Sequence, residues 1–131
     1  MSYDLIECDT PDEFFEAYEK MKDKEGYWIG YFYGKNDETT GLSWCPDCRG
    51  ADPHIVPGLE KFWEGKLVVK ANVTRDEWKG NAEHPFRTHP QLGCKGVPTI
   101  IVFEKDEQLV KVDDHSLLDD EKVEELLVKY K

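Results

Sequence analysis

Positive charge is scarce in this sequence. Its 17 lysines and arginines stand against 28 aspartates and glutamates, a net charge of −11 with histidine neutral. A surface of that sign repels phosphate backbones and anionic lipid headgroups, so no nucleic acid and no membrane partner is expected. Long apolar runs are missing too. No stretch approaches the roughly 20 residues that cross a bilayer. Met1-Ser2-Tyr3-Asp4-Leu5-Ile6-Glu7 has neither the basic region and apolar core of a secretory leader nor the Arg-rich character of a transit peptide. Cysteine is sparse: four in 131 residues, unevenly spaced, too few for a disulfide scaffold. Gly-rich phosphate loops, nucleophilic-serine motifs and metalloprotease helices are all lacking, as are internal repeats and low-complexity segments. These absences lead to the expectation of a cytoplasmic protein whose cysteines rest reduced; a monomer is expected.

What is present is enough for a core. Apolar residues make up 39% of the chain, with four tryptophans, six tyrosines and six phenylalanines, so disorder is a poor reading despite the charge. The length suits a single domain over residues 1–131. Tyr3 to Cys8 reads as a strand. Thr10-Pro11-Asp12-Glu13 starts a helix, with a threonine cap, proline at the first position and Glu13 closing a capping box. Phe14, Tyr18 and Met21 at helical spacing carry it to about Lys24, before Gly26. Tyr27 to Tyr33 suits a buried strand, and Gly34 to Ser43 a polar loop. A helix follows, kinked at Pro53, with Leu59, Phe62 and Trp63 on its apolar side. Lys66 to Val73 is a strand. Thr74 to Leu92 reads as a loop with one short helix. Thr99 to Glu104 and Leu109 to Val112 form a hairpin around Lys105-Asp106-Glu107, and a helix from about Asp119 to Tyr130 closes the chain. This order predicts an α/β fold: a mixed sheet, parallel in its first half and antiparallel at its end, with helices on both faces.

The chemistry concentrates at Trp44-Cys45-Pro46-Asp47-Cys48. Two thiols three positions apart, between a strand and a helix, allow one sulfur to attack a disulfide and the other to resolve the mixed disulfide. The reactive species is the thiolate. At a helix start, unpaired N–H groups and the helix dipole lower the pKa of Cys45 below the free-thiol value of about 8.5. Cys45 is therefore expected to be the exposed nucleophile, and Cys48, one turn inward, the shielded resolving cysteine. Pro46 stiffens the turn. Trp44 covers one side of the sulfur and offers substrate a flat apolar contact. Asp47 opposes thiolate formation by its charge, yet is a candidate proton acceptor for Cys48; the helix terminus is expected to dominate at Cys45.

A second signal is Gly96-Val97-Pro98-Thr99, which enters a strand directly. Proline is tolerated at the first residue of a strand. A cis Val97–Pro98 bond would turn the chain and leave backbone groups of Val97 free for an extended substrate. Alone the pattern is weak; with a Cys-x-x-Cys far upstream it becomes specific.

Together these residues resemble the thioredoxin superfamily: Trp-Cys-x-x-Cys after an aromatic strand, Pro53 in the following helix, and Val97-Pro98-Thr99 before a hairpin and terminal helix. Cys-Pro-Asp-Cys, the lengthened segments at Lys35–Ser43 and Thr74–Leu92, and the Trp78-Lys79 pair are most similar to the thioredoxin domain-containing protein 17 family. The resemblance implies a thioredoxin fold, with Cys45 as nucleophile, Cys48 as resolving cysteine and Pro98 as the cis-proline. It implies a disulfide reductase acting on cystine, glutathionylated or nitrosylated cysteines and selected protein disulfides. No cofactor would be bound, since electrons would come from NADPH through thioredoxin reductase, and the potential would lie at roughly −220 to −290 mV. The sequence departs from ordinary thioredoxins in lacking an aspartate in Tyr27–Tyr33, a gap Asp47 could fill. The acidic loop at Asp37 and Glu38 is expected to narrow access to Cys45 and to disfavour large or acidic protein substrates.

Three other readings compete. The fold could serve as a binding module without catalysis. Cys45, Cys48, His84 and His89 could hold zinc, although His-x4-His lies far beyond finger spacing from the cysteines. A direct peroxidase or oxidase role is the third. Cys94, just before Gly96, is read as a half-exposed bystander with a regulatory or glutathionylated thiol as the alternative, and Cys8 as structural. His54, His84, His89 and His115 are read as loop or surface residues, and Trp28, Tyr31 and Phe32 as core.

Overall fold

Every residue after Tyr27 in the run to Gly34 is buried. A strand covered on both faces reads as a continuous apolar run, and this one becomes the centre of the sheet. In the computed structural model, which describes residues 2–131, the elements are β1 (Asp4–Cys8), α1 (Pro11–Lys20), β2 (Tyr27–Gly34), α2 (Pro46–Phe62), β3 (Leu67–Val73), α3 (Arg75–Trp78), α4 (Pro85–Thr88), β4 (Thr99–Glu104), β5 (Glu107–Val112), a 3-10 helix (His115–Leu118) and α5 (Asp120–Lys129). The five strands form one sheet in the order β1-β3-β2-β4-β5. β1 and β2 run parallel to β3, while β4 is antiparallel to both β2 and β5. The fold is thus α/β with a mixed sheet, as the element order predicts.

Alternation along β2 divides the core. Ile29, Tyr31 and Tyr33 face α2 and α5, with Ala51, Ile55, Leu59, Val123 and Leu127 packed on them. Trp28 and Phe32 face α1 and the α3–α4 segment, among Phe14, Tyr18, Phe86 and Phe103. Two buried indoles find partners: Trp28 Nε1 donates to the Lys105 carbonyl at 2.7 Å and Trp63 Nε1 to that of Leu67 at 3.1 Å. Helix α2 runs unbroken through both Pro53 and Pro57. Gly58 lets it approach α5, because a Cβ there would lie 2.7 Å from Val123 Cγ1.

Several boundaries differ from expectation. Helix α1 stops at Lys20 rather than Lys24: after Met21 the chain offers only Lys22-Asp23-Lys24-Glu25, which has nothing to bury, and Met21 and Lys22 close a tight turn onto Tyr18 and Glu19. Segment 74–92 holds two short helices, not one. Thr74 and Glu77 form a capping box for α3, and His84 with Pro85 starts α4. A 3-10 helix follows β5, capped by Asp114 and seated by buried Leu117. Strand β5 begins at Glu107, because Lys105, with φ of 56°, turns the chain by itself with Asp106.

Gly58→Ala places its methyl into Val123. It is expected to destabilise the fold by about 1–3 kcal/mol, read as a lower urea midpoint with an unchanged slope.

Candidate active site

The backbone of Cys45 is extended (φ −93°, ψ 114°), and Pro46 takes the first helical position, so Cys45 is the N-cap of α2. Its sulfur is therefore aimed at orphan N–H groups, and it accepts from Cys48 N–H at 3.4 Å. As a thiol, Cys45 donates to the Val97 carbonyl at 3.3 Å. Cys48 Sγ accepts from the Gly34 N–H at 3.3 Å. Both cysteines are free.

The two sulfurs ionise at opposite ends of the scale. The hydrogen bond offered by the Cys48 thiol has the largest influence on Cys45. Burial opposes it, the Cys48 and Asp47 N–H groups add to it, and the Asp47 carboxylate works against it. The outcome is a pKa lowered to about 6. Cys48 is pushed far up, first by its bond to Cys45 and then by burial. The helix terminus does outweigh Asp47, but its N–H groups act behind the partner thiol.

One expectation needs correction. Cys45 is not an exposed attacker: it is 6% accessible, against 0% for Cys48. The order of outer and inner sulfur is as expected, but the Val97 carbonyl closes over the outer one.

Gly34 makes the packing possible. A Cβ there would stand 2.8 Å from Cys45 Cβ, 2.9 Å from Ser43 Oγ and 3.0 Å from Trp44. Ser43 ties the same point together, donating to the Gly34 carbonyl at 2.6 Å and accepting from Cys45 N–H at 3.1 Å. The Ser43 carbonyl in turn accepts from Arg49 at 2.6 Å. In the sequence Ser43 and Gly34 stand only as parts of a polar loop with glycines; the serine directly before Trp-Cys was the available signal.

The other expected residues surround this centre. The Val97–Pro98 peptide is cis, and Pro98 is buried. Trp44 is half-buried, donating to the Val73 carbonyl at 2.9 Å, with Lys79 Nζ 5.9 Å from its ring. Pro46 and Asp47 are exposed. A second carboxylate, Asp52, sits one helical turn beyond Cys48 and accepts from the buried Tyr31 hydroxyl at 2.7 Å, so Tyr31 is more than core. Asp37 turns its loop by accepting from Thr39 and Thr40 N–H.

The remaining cysteines and histidines lie apart. Cys94 is 1% accessible, and its cluster is on the α1 side of the sheet, away from Cys45. It is neither half-exposed nor poised for regulation: burial pushes its thiol up to about 12 and that of Cys8 to about 11. His84 is not a surface residue. Its Nδ1 accepts from Phe86 N–H at 3.1 Å, so Nε2 carries the proton and donates to Glu77 at 3.0 Å. With both nitrogens engaged and His89 Nδ1 accepting from Gln91 N–H, the zinc reading loses its ligands. Among the described residues no group of three His, Cys, Asp or Glu side chains is placed to hold a metal ion. His54 pairs with Asp120 at 2.7 Å, which joins α2 to α5.

A thiolate forms above its pKa, so alkylation by iodoacetamide should rise with pH to a plateau with a midpoint near 6 at Cys45. Mass mapping of the native protein at neutral pH should find Cys45 modified and Cys8, Cys48 and Cys94 protected. A midpoint at or above that of free cysteine would contradict the geometry.

Residues 9–129 match the thioredoxin domain of the family described as thioredoxin domain-containing protein 17-like. The chain is similar to the thioredoxin-like protein Clot of Arabidopsis thaliana, 39% identical over 64% of this chain and 63% of the plant protein. It is 33% identical to thioredoxin domain-containing protein 17 of Danio rerio over 83% of this chain and 85% of the fish protein. A further match, 37% identical over 68% of this chain, spans only 28% of a protein named acireductone dioxygenase in Leishmania infantum. The first of these relatives are thus covered over less than two thirds of their own length. Among solved structures, thioredoxin NaTrxh of Nicotiana alata superposes with a TM-score of 0.65 at 14% identity, covering 100% of this chain and 96% of its own, a likeness of fold alone. With a thioredoxin fold, a Cys-x-x-Cys at a helix N-cap and the family match over nearly its whole length, this chain belongs to the thioredoxin domain-containing protein 17-like family.

Proposed function

We propose that the protein is a dithiol disulfide reductase. The observation that carries this reading is a nearly covered sulfur at a helix N-cap, drawn to a pKa of about 6, with a second thiol one turn behind it held protonated. Cys45 is then ionised at neutral pH without a separate base.

The reaction runs in two exchanges. The Cys45 thiolate attacks one sulfur of a substrate disulfide; that S–S bond breaks, and the other half leaves as a thiolate that takes a proton from water. Cys45 is now neutral and bonded, so the charge it held against Cys48 is gone and the Cys48 thiol ionises more readily. Cys48 gives up its proton and attacks Cys45 Sγ. The mixed disulfide breaks, the second half leaves as a thiolate that takes up a proton, and the protein is left oxidised as a Cys45–Cys48 disulfide, its two electrons having passed to the two substrate thiols. Asp47 at the rim and the Tyr31–Asp52 pair behind α2 are the candidate groups for that proton.

Cystine, glutathionylated or nitrosylated cysteines and selected protein disulfides are the proposed substrates. NADPH through thioredoxin reductase is the proposed electron source, and the cytoplasm the proposed compartment. The covering of Cys45 favours small or protruding disulfides over large folded ones.

A coupled assay following NADPH consumption with thioredoxin reductase and either cystine or insulin tests this reading. Cystine should be turned over well and insulin weakly. Cys45→Ser should abolish turnover, and Cys48→Ser should accumulate mixed disulfides visible as mass adducts. Full activity in the Cys45→Ser protein would remove the mechanism.

A further inference from the structure

A groove opens beside the Cys45 sulfur. It lies between the first turns of α2, the Val97–Pro98 loop and the 3-10 helix that follows β5, and encloses about 300 Å³. Val97 joins it to the reactive centre, because the carbonyl of this wall residue faces Cys45 Sγ at 3.3 Å. Asp47 joins it again: it lines the groove and its charge acts on Cys45. A disulfide whose one sulfur meets Cys45 would therefore lay its substituent here.

The walls divide by chemistry. Pro98 and Leu117 are apolar. Asp47, Asp113 and Asp114 bring carboxylates from two different elements; among the described residues no lysine or arginine lines the groove, and the imidazole of His115 is the one basic side chain set against the three acidic ones. Asp114 uses one oxygen on Ser116 N–H at 2.9 Å. A substituent with an apolar stem and a cationic head matches this surface, whereas an anionic head meets three exposed carboxylates. From the groove, its junction with the sulfur and the sign of its walls, we infer that the protein selects disulfides carrying a positive group within a few bonds of the sulfur, such as amino-bearing small disulfides or peptide disulfides flanked by lysine or arginine, and discriminates against anionic ones. This inference rests on the thiol-exchange reading and specifies its substrate class.

The test uses the Cys48→Ser protein, in which adducts accumulate on Cys45. It is mixed with cystamine (cationic), hydroxyethyl disulfide (neutral) or dithiodiglycolate (anionic), and adduct formation is followed by mass spectrometry after acid quenching. Each rate is divided by that of the same disulfide with free mercaptoethanol, which removes intrinsic reactivity. The expected order is cationic, neutral, anionic, with cystamine about tenfold ahead of dithiodiglycolate at low ionic strength and the contrast shrinking in high salt. Asp113→Asn/Asp114→Asn should cut the contrast to about threefold, since exposed charges act weakly one by one. Asp23→Asn/Glu64→Gln, the same charge change placed beyond the opposite ends of β2 and α2, should leave it in place. Equal corrected rates, a faster anionic disulfide, or an undiminished contrast in Asp113→Asn/Asp114→Asn would overturn the inference while leaving thiol exchange intact. No adduct with any disulfide would overturn both.

Discussion

An ionised sulfur inside a nearly closed surface is the constraint on which the active end of this molecule depends. Burying a charge is costly unless donors replace the lost water. Here the replacements are the first N–H groups of α2 and the thiol of Cys48. The same bonds that hold Cys45 ionised hold Cys48 protonated. One geometry therefore makes the first sulfur ready and the second inert until the first has reacted.

That geometry leaves no room for variation at the strand end. Gly34 donates its N–H to Cys48 and, for want of a Cβ, allows Cys45, Ser43 and Trp44 to close in. Ser43 then bridges the Gly34 carbonyl and the Cys45 N–H. The site thus draws on three stretches that are remote in sequence: the end of β2, the start of α2 and the loop before β4. What keeps them in register is the sheet, with β2 paired to β3 on one side and β4 on the other, and α2 clamped on α5 at Gly58.

The segment between β3 and β4 is a scaffold around aromatic rings. The Arg87 guanidinium lies 3.8 Å over the Trp78 ring and donates to the carbonyls of Trp78 and Lys95. His84 ties α4 back to α3 through Glu77. Lys79, just past Trp78, reaches the Trp44 ring. Polar and charged side chains here are partners to one another and to backbone groups, which is why a His-x4-His pattern that reads as a ligand pair is occupied with packing.

Local chemistry was legible in the sequence. A proline after Thr10, an aromatic run at Tyr27, the β-branched and aromatic run from Thr99 to Phe103 and an acidic start before Val123 each depend on near neighbours, and each produced its element. So did the Cys-x-x-Cys at a helix start, because the spacing and Pro46 alone put Cys45 at the cap. Short helices were the weak point: the Thr74–Glu77 box and the Asp114 cap are local signals, but too brief to stand out without the buried Trp78 and Leu117 that seat them.

Exposure and partnership belonged to the tertiary structure. Nothing near Cys45 in the chain says that the Val97 carbonyl will cover it, nothing near Cys94 says which side of the sheet will bury it, and Tyr31 and Asp52 meet only because a strand and a helix are laid together. Propensity and spacing act over a few residues, so the sequence alone determined the strands, the three longer helices and which sulfur leads. Burial, sulfur ionisation and the charge of the groove arise from groups distant along the chain, and only folding set them.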